Sequence, residues 1–265
     1  MKRNKVIVTT VLSALLVGGT VTGFMQVPEK AKAKESVLVK QSDKDQNVLT
    51  ITNKTASENL EEISSIFTIN IPVIENENNI SSLQRINTIM DYEIIDFKNR
   101  LRNQFAQTYL DLNGEVSFGF SGDATYEVAF NNDQIISIPV TYTQYAGGAH
   151  SNTEIVGYNF NLETGELIYV SDLFKSDFHF QKEINNKIKE EISKQPEEYF
   201  EDALVTVDRL DVNFNYFIKD SAIVVQFKAY ELTSYASGLP SFEIPLKDFE
   251  NNLTPIGKSI ISSKK

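Results

Sequence analysis

SSLQRINTIMDYEIIDFKNRLRNQFAQTYL, residues 81–110, and YEVAFNNDQIISIPVTY, residues 126–142, decide the fold class between them. In the first run Leu83, Ile86, Met90, Ile94, Phe97, Leu101, Phe105 and Tyr109 recur at spacings of three or four, one apolar stripe along a long helix. Ser81 with Gln84 reads as a capping-box start, and Asn113-Gly114 as a stop. In the second run the period drops to two. Tyr126, Val128 and Phe130 share a face, Asn131–Gln134 turns, and Ile136, Ile138, Val140 and Tyr142 return.

Working outward, Phe67, Ile69, Ile71 and Val73 alternate with polar residues as a strand before the helix. Beyond residue 142, Val156, Tyr158, Phe160 and Leu162 form another, with a return at 167–170 after the turn at Gly165. Phe180, Ile184, Ile188 and Ile192 mark a second helix near residues 178–194, which Pro196 ends. Strands at 214–218, 223–227 and 242–245 follow. The meander order predicts antiparallel sheets, each packed by a helix, so the class is α+β. The reading divides the chain into an N-terminal half over 60–170 and a C-terminal half over 171–250. It leaves 251–265 as a mobile tail.

Residues 1–33 read as a signal peptide. Lys2, Arg3 and Lys5 precede an apolar run, and Ala31-Lys32-Ala33 has the form of a cleavage site. An uncleaved segment would instead be a membrane anchor. Residues 34–62 are polar and read as a linker with one early strand at 48–52. The chain is therefore expected to be secreted or associated with the cell envelope.

The net charge is −11, and residues 1–33 hold +4 of it, so a chain trimmed there carries −15. Such acidity speaks against nucleic acid and anionic polymers and for a basic partner. The absence of cysteine excludes disulfides, thiol nucleophiles and thiolate metal sites.

Chemistry or recognition is expected in the stretch Tyr142–Thr153, which carries Tyr145-Ala-Gly147-Gly148-Ala-His150, sits between two strand-like runs and holds one of only two histidines. A catalytic zinc needs three protein ligands, yet His150 and His179 stand 29 residues apart with no H-E-x-x-H. No G-x-S-x-G elbow and no phosphate-binding glycine loop occurs. The sequence thus assigns no catalytic residue, metal or cofactor. A second tyrosine-rich loop, Ala229–Pro240, holds Tyr230, Glu231, Tyr235 and Gly238. Tyrosines among small residues give large contact area at low entropic cost, as recognition surfaces do. The candidate binding residues are Tyr145, Gly147, Gly148, His150, Tyr230, Glu231, Tyr235 and Gly238. A loop-ordering role for His150 and acid–base work with nearby carboxylates are the alternatives.

Taken together, Tyr145–Thr153, Gly157–Phe160, Thr164-Gly165, Asp172–Phe174, Tyr230-Glu231, Tyr235–Pro240 and Phe242–Pro245 resemble a known exported module. It is the pair of extracellular domains of unknown function shared by lysozyme-sensing anti-sigma factors and by the non-catalytic N-terminal region of a secreted Gram-positive peptidoglycan deacetylase. The resemblance spans about residues 60–250. It implies a non-catalytic binding module with a lysozyme-like muramidase or peptidoglycan as partner. The five residues before the apolar run are too few for a sigma-binding segment, and two histidines cannot supply the deacetylase motifs.

Overall fold

Hydrogen-bonding needs and apolar patterning place most of this chain in two sheets with separate cores. The computed structural model describes residues 36–38, 49–76 and 80–262; the expected signal peptide over 1–33 lies outside them. In chain order the strands and helices begin with β1 (Ser36–Leu38), β2 (Thr50–Thr55), β3 (Glu58–Leu60), β4 (Ser65–Glu75) and α1 (Ser81–Asp111). Next come β5 (Phe120–Tyr126), β6 (Phe130–Asn131), β7 (Ile135–Tyr145), β8 (Asn152–Asn161) and α2 (Phe180–Ile192). The chain continues through α3 (Ala203–Asp208), β9 (Tyr216–Lys219), β10 (Ala222–Gln226), β11 (Ser241–Pro245) and α4 (Pro255–Ser262). The class is α+β, as the sequence predicts.

The larger sheet has eight strands in the order β1-β2-β4-β5-β7-β6, with β3 paired to β4 and β8 to β7. It is mixed: β4 and β5 run parallel, with Ser65 opposite Phe120, because α1 is a crossover that returns the chain in the same direction. The helix lays its predicted stripe on the sheet. Ile86, Met90, Ile94 and Phe105 are fully buried, and Phe105 stacks between Phe67 and Phe120 at centroid distances of 5.7 and 4.9 Å. The helix start departs from the capping-box expectation. Ile80 is the N-cap without a side-chain bond, and Ser82 Oγ instead donates to Leu162 O at 2.7 Å, tying the helix to the turn after β8.

The smaller sheet is β11-β10-β9, antiparallel throughout. With α2, α3 and α4 it encloses a second core of Ile184, Ile188, Val207, Ile218, Ile223, Val225, Leu246 and Ile260. β7 serves both cores: Ile136, Ile138 and Val140 belong to the first, and Ile135 to the second.

The sheets meet along a seam built from side-chain amides. Asn215 accepts from Gly157 N at 2.9 Å and donates to Ile155 O at 2.6 Å. Asn159 donates to Tyr216 O at 3.0 Å, and its Oδ1 accepts from Ile218 N at 3.1 Å and from Ser137 Oγ at 2.7 Å. These amides satisfy backbone groups of β8 and β9 that no strand pairs.

Besides the capping-box start and the antiparallel reading of the larger sheet, which the parallel β4–β5 pair corrects, three further expectations are corrected. The early strand expected at 48–52 is β2, which runs on to Thr55, and residues 58–60 are a further strand rather than polar linker; both pair to β4, with Ile51 facing the core. The return after Gly165 is a single bridge, Phe160 to Leu167, followed by a 3-10 turn at Val170–Leu173. Residues 251–262 of the expected mobile tail are structured: Thr254 N bonds Leu173 O at 3.0 Å, Thr254 Oγ1 bonds Asp172 O at 2.6 Å, and α4 buries Ile260.

Candidate functional site

β7 and β8 pair from Ile135–Asn161 up to Gln144–Asn152, and residues 146–151 form the connection above them. Gly147 and Gly148 take φ of +92° and +102°, conformations that side chains resist. A Cβ on Gly147 would also lie 2.6 Å from the Phe118 ring. Tyr145 packs edge-on against Phe118 at 5.8 Å and donates its hydroxyl to Gly148 O at 3.1 Å. These residues shape the loop and present His150, which is exposed.

The second loop rises from β10. Its base is held by Glu231, whose carboxylate accepts from Lys228 N at 2.7 Å, and by Gln226, which donates to Phe227 O and Pro240 O at 3.0 Å each. Tyr230 sits at φ +66°. For an aromatic residue this stores on the order of 1–3 kcal/mol, sustained only where other contacts fix the position. A 3-10 turn spans Tyr235–Ser237 and ends at Gly238, φ +82°.

The two loops meet at His150. Its ring stacks on Tyr235 at 3.6 Å with planes 14° apart. Nδ1 lies 2.9 Å from Ser151 O and Nε2 lies 3.0 Å from the Tyr230 hydroxyl. A carbonyl only accepts, so Nδ1 carries hydrogen, and in the neutral ring Nε2 accepts from Tyr230. Tyr235 also donates to Ser151 O at 2.9 Å. Lys228 and Glu154 add an exposed pair at 3.7 Å between the second loop and β8.

Of the predicted residues, His150, Tyr230 and Tyr235 converge. Tyr145, Gly147 and Gly148 shape the first loop, Glu231 braces the second, and Gly238 ends the turn after Tyr235. Ser151 lay in the expected stretch without a role of its own, and Phe118 was not anticipated. A backbone carbonyl leaves no residue-type signal, and Phe118 looks like any apolar residue before a strand. His150 forms no ion pair among the described residues, and no three His, Asp or Glu side chains there group as a metal ion would require. An open groove of about 540 Å³ lies elsewhere, between α1 and β4, lined by Pro72, Asp91 and Tyr92 among others.

Residues 57–153 match the family described as deacetylase PdaC, and residues 171–247 match a protein family of unknown function, DUF3298. The two matches lie side by side, so the chain resembles the paired PdaC and DUF3298 domains. The PdaC match takes in His150 and the DUF3298 match takes in Tyr230 and Tyr235, so the candidate site is the corner where the two matched segments meet. Among curated proteins the chain is similar to the peptidoglycan-N-acetylmuramic acid deacetylase PdaC of Bacillus subtilis, 24% identical over 182 residues. That match takes in 67% of this chain but spans only 37% of the relative's length. Among solved structures, a DUF3298 member from Bacteroides fragilis superposes with a TM-score of 0.61 at 15% identity, covering 83% of this chain and 100% of its own. Another from Pseudomonas aeruginosa gives 0.51 at 15% identity, covering 80% and 96%. These likenesses show the shared fold of both halves. No helix among the described residues is long and apolar enough to cross a membrane.

Proposed function

We propose that this chain is a non-catalytic binding module of the bacterial cell envelope, and that the corner of His150, Tyr230 and Tyr235 holds its ligand. The observation that carries this reading is the state of His150. Both ring nitrogens are occupied, by Ser151 O and the Tyr230 hydroxyl, and the ring is stacked on Tyr235. An acid–base histidine needs a carboxylate or a substrate proton within reach. Here the imidazole orders an exposed aromatic surface, which argues against envelope glycan hydrolysis by this group.

The relative's activity on peptidoglycan supports the cell wall as the setting and peptidoglycan as the ligand. Stacked aromatics beside hydrogen-bonding hydroxyls suit a saccharide ring with apolar faces and polar edges. A second reading, binding of a basic lysozyme-like muramidase, is favoured by the −11 charge, which steers cationic proteins toward the chain. Sedimentation with purified peptidoglycan and titration calorimetry with a basic lysozyme test both. Binding of at least one ligand, weakened about tenfold or more by Tyr235→Ala and His150→Ala, is expected. Absence of binding to either at moderate salt would sink the proposal.

A further inference from the structure

The segment Pro196–Asp208 leaves an apolar patch in solvent. Phe200, Leu204 and Val205 are 39, 41 and 48% exposed. Single exposed apolar residues are ordinary, but three within six positions form a patch. Phe200 precedes α3 and is tied to its first residue by the bond from Ala203 N to Phe200 O at 3.0 Å. Leu204 and Val205 lie on α3 itself and face solvent, while Ala203 and Val207 of the same helix are buried in the core. Phe200 N also bonds Leu232 O at 2.9 Å, fastening the patch to the loop that carries Tyr230.

Around these residues stand Glu197, Glu198, Glu201 and Asp202, all exposed. None forms an ion pair among the described residues. The neighbouring lysines are engaged elsewhere, Lys189 with Asp208 at 2.6 Å and Lys194 with Glu191 at 2.5 Å. Arg209 lies past the end of α3. Exposed apolar residues flanked by exposed carboxylates without ion-pair partners have the composition of a protein interface, where apolar anchors sit inside a polar rim. It repels anionic lipids and anionic wall polymers, and it complements lysine or arginine placed beside apolar side chains.

We infer that Phe200, Leu204 and Val205, ringed by Glu197, Glu198, Glu201 and Asp202, dock a cationic amphipathic polypeptide segment on a surface separate from the His150 corner. The apolar anchors set residence time, and the carboxylates set the rate of encounter and its salt dependence.

The test titrates the full chain with a short helix built of Lys and Leu, and with polylysine as the purely cationic control. Leu204→Ser with Val205→Ser is expected to weaken binding of the Lys/Leu helix about tenfold at every salt concentration. Glu201→Lys with Asp202→Lys is expected to weaken it at low salt and to flatten its salt dependence. Polylysine is expected to bind less tightly than the Lys/Leu helix. Circular dichroism of both variants should match the parent, since every altered side chain is exposed. Variants that bind like the parent, or a parent that ignores the helix, would overturn the inference. So would a parent that instead sediments with phosphatidylcholine vesicles through the same residues. Tyr235→Ala is expected to leave this binding unchanged and the patch variants to leave peptidoglycan binding unchanged, so either proposal can fail without the other.

Discussion

Gly157 lies where β8 meets β9, and a Cβ there would sit 1.9 Å from Tyr216 O. Backbone atoms cannot yield at that distance without parting the seam. Gly157→Ala is therefore expected to cost about 2–3 kcal/mol, read as a lowered urea midpoint. Gly148 provides the contrast. It has φ +102° but nothing within 4 Å of a built Cβ, so Gly148→Ala should cost only about 1 kcal/mol of backbone strain. The sequence marks both residues as glycine and nothing more, since what separates them is a neighbour 59 positions away. His150 was legible for a different reason: histidine is scarce here and a Gly-Gly pair precedes it. Its actual partners were less so, because Ser151 contributes only a carbonyl. Tyr230 was visible as a tyrosine in an unusual loop, but not as one held at positive φ.

At the scale of elements, α1 was readable almost to its ends because a 31-residue amphipathic stripe repeats its signal many times. α4 was not. Its eight residues hold Ile256, Ile260 and Ile261 among Pro, Gly, Lys and Ser, and so short a stretch of periodicity looks like a polar tail. The structure shows what that stretch does: Gly257 lets the helix close on Leu173 O, 2.3 Å from a built Cβ, and Ile260 fills the second core. Ile260→Ala is expected to destabilise by about 2–4 kcal/mol in urea unfolding, the range for a fully buried isoleucine and far outside that of a frayed terminus. The parallel pairing of β4 with β5 was hidden for a related reason. Strand direction depends on how α1 crosses the sheet, and residue periodicity is blind to that.

For the molecule as a whole, two measurements bear on how its parts cooperate. Tyr142 and Tyr158 share a buried hydroxyl contact of 3.0 Å. Burial pushes the Tyr158 phenol up to about 12, and burial together with the Tyr158 contact pushes Tyr142 higher still. Burial also holds the Tyr216 phenol well above its ordinary value of 10.0. In the unfolded chain such phenols ionise near pH 10. The native state therefore retains protons that the unfolded state releases, so their stabilising contribution is complete below pH 10 and is lost as pH rises toward and beyond 12. Tyrosinate absorbance should show these phenols ionising together with loss of the fold. The second measurement concerns the seam. Asn159 touches Ser137, Tyr216 and Ile218 while 2% exposed, and removing its amide leaves buried backbone groups without partners. A single urea transition is expected for the parent, and Asn159→Ala should cost about 3 kcal/mol and broaden or split it.

That seam also bears on descent. Adjacent domains joined by a flexible tether can be reshuffled by recombination, since neither depends on the other's surface. Here Asn215 completes the edge of β8 and Asn159 completes the edge of β9, so each domain carries part of its neighbour's backbone bonding. A crossover between residues 161 and 214 that joined halves from two distant lineages would have to bring matching amides, or strand polar groups in a dry joint. Selection would accordingly tend to retain the two domains as one heritable block, with the corner at His150 passed on as part of it.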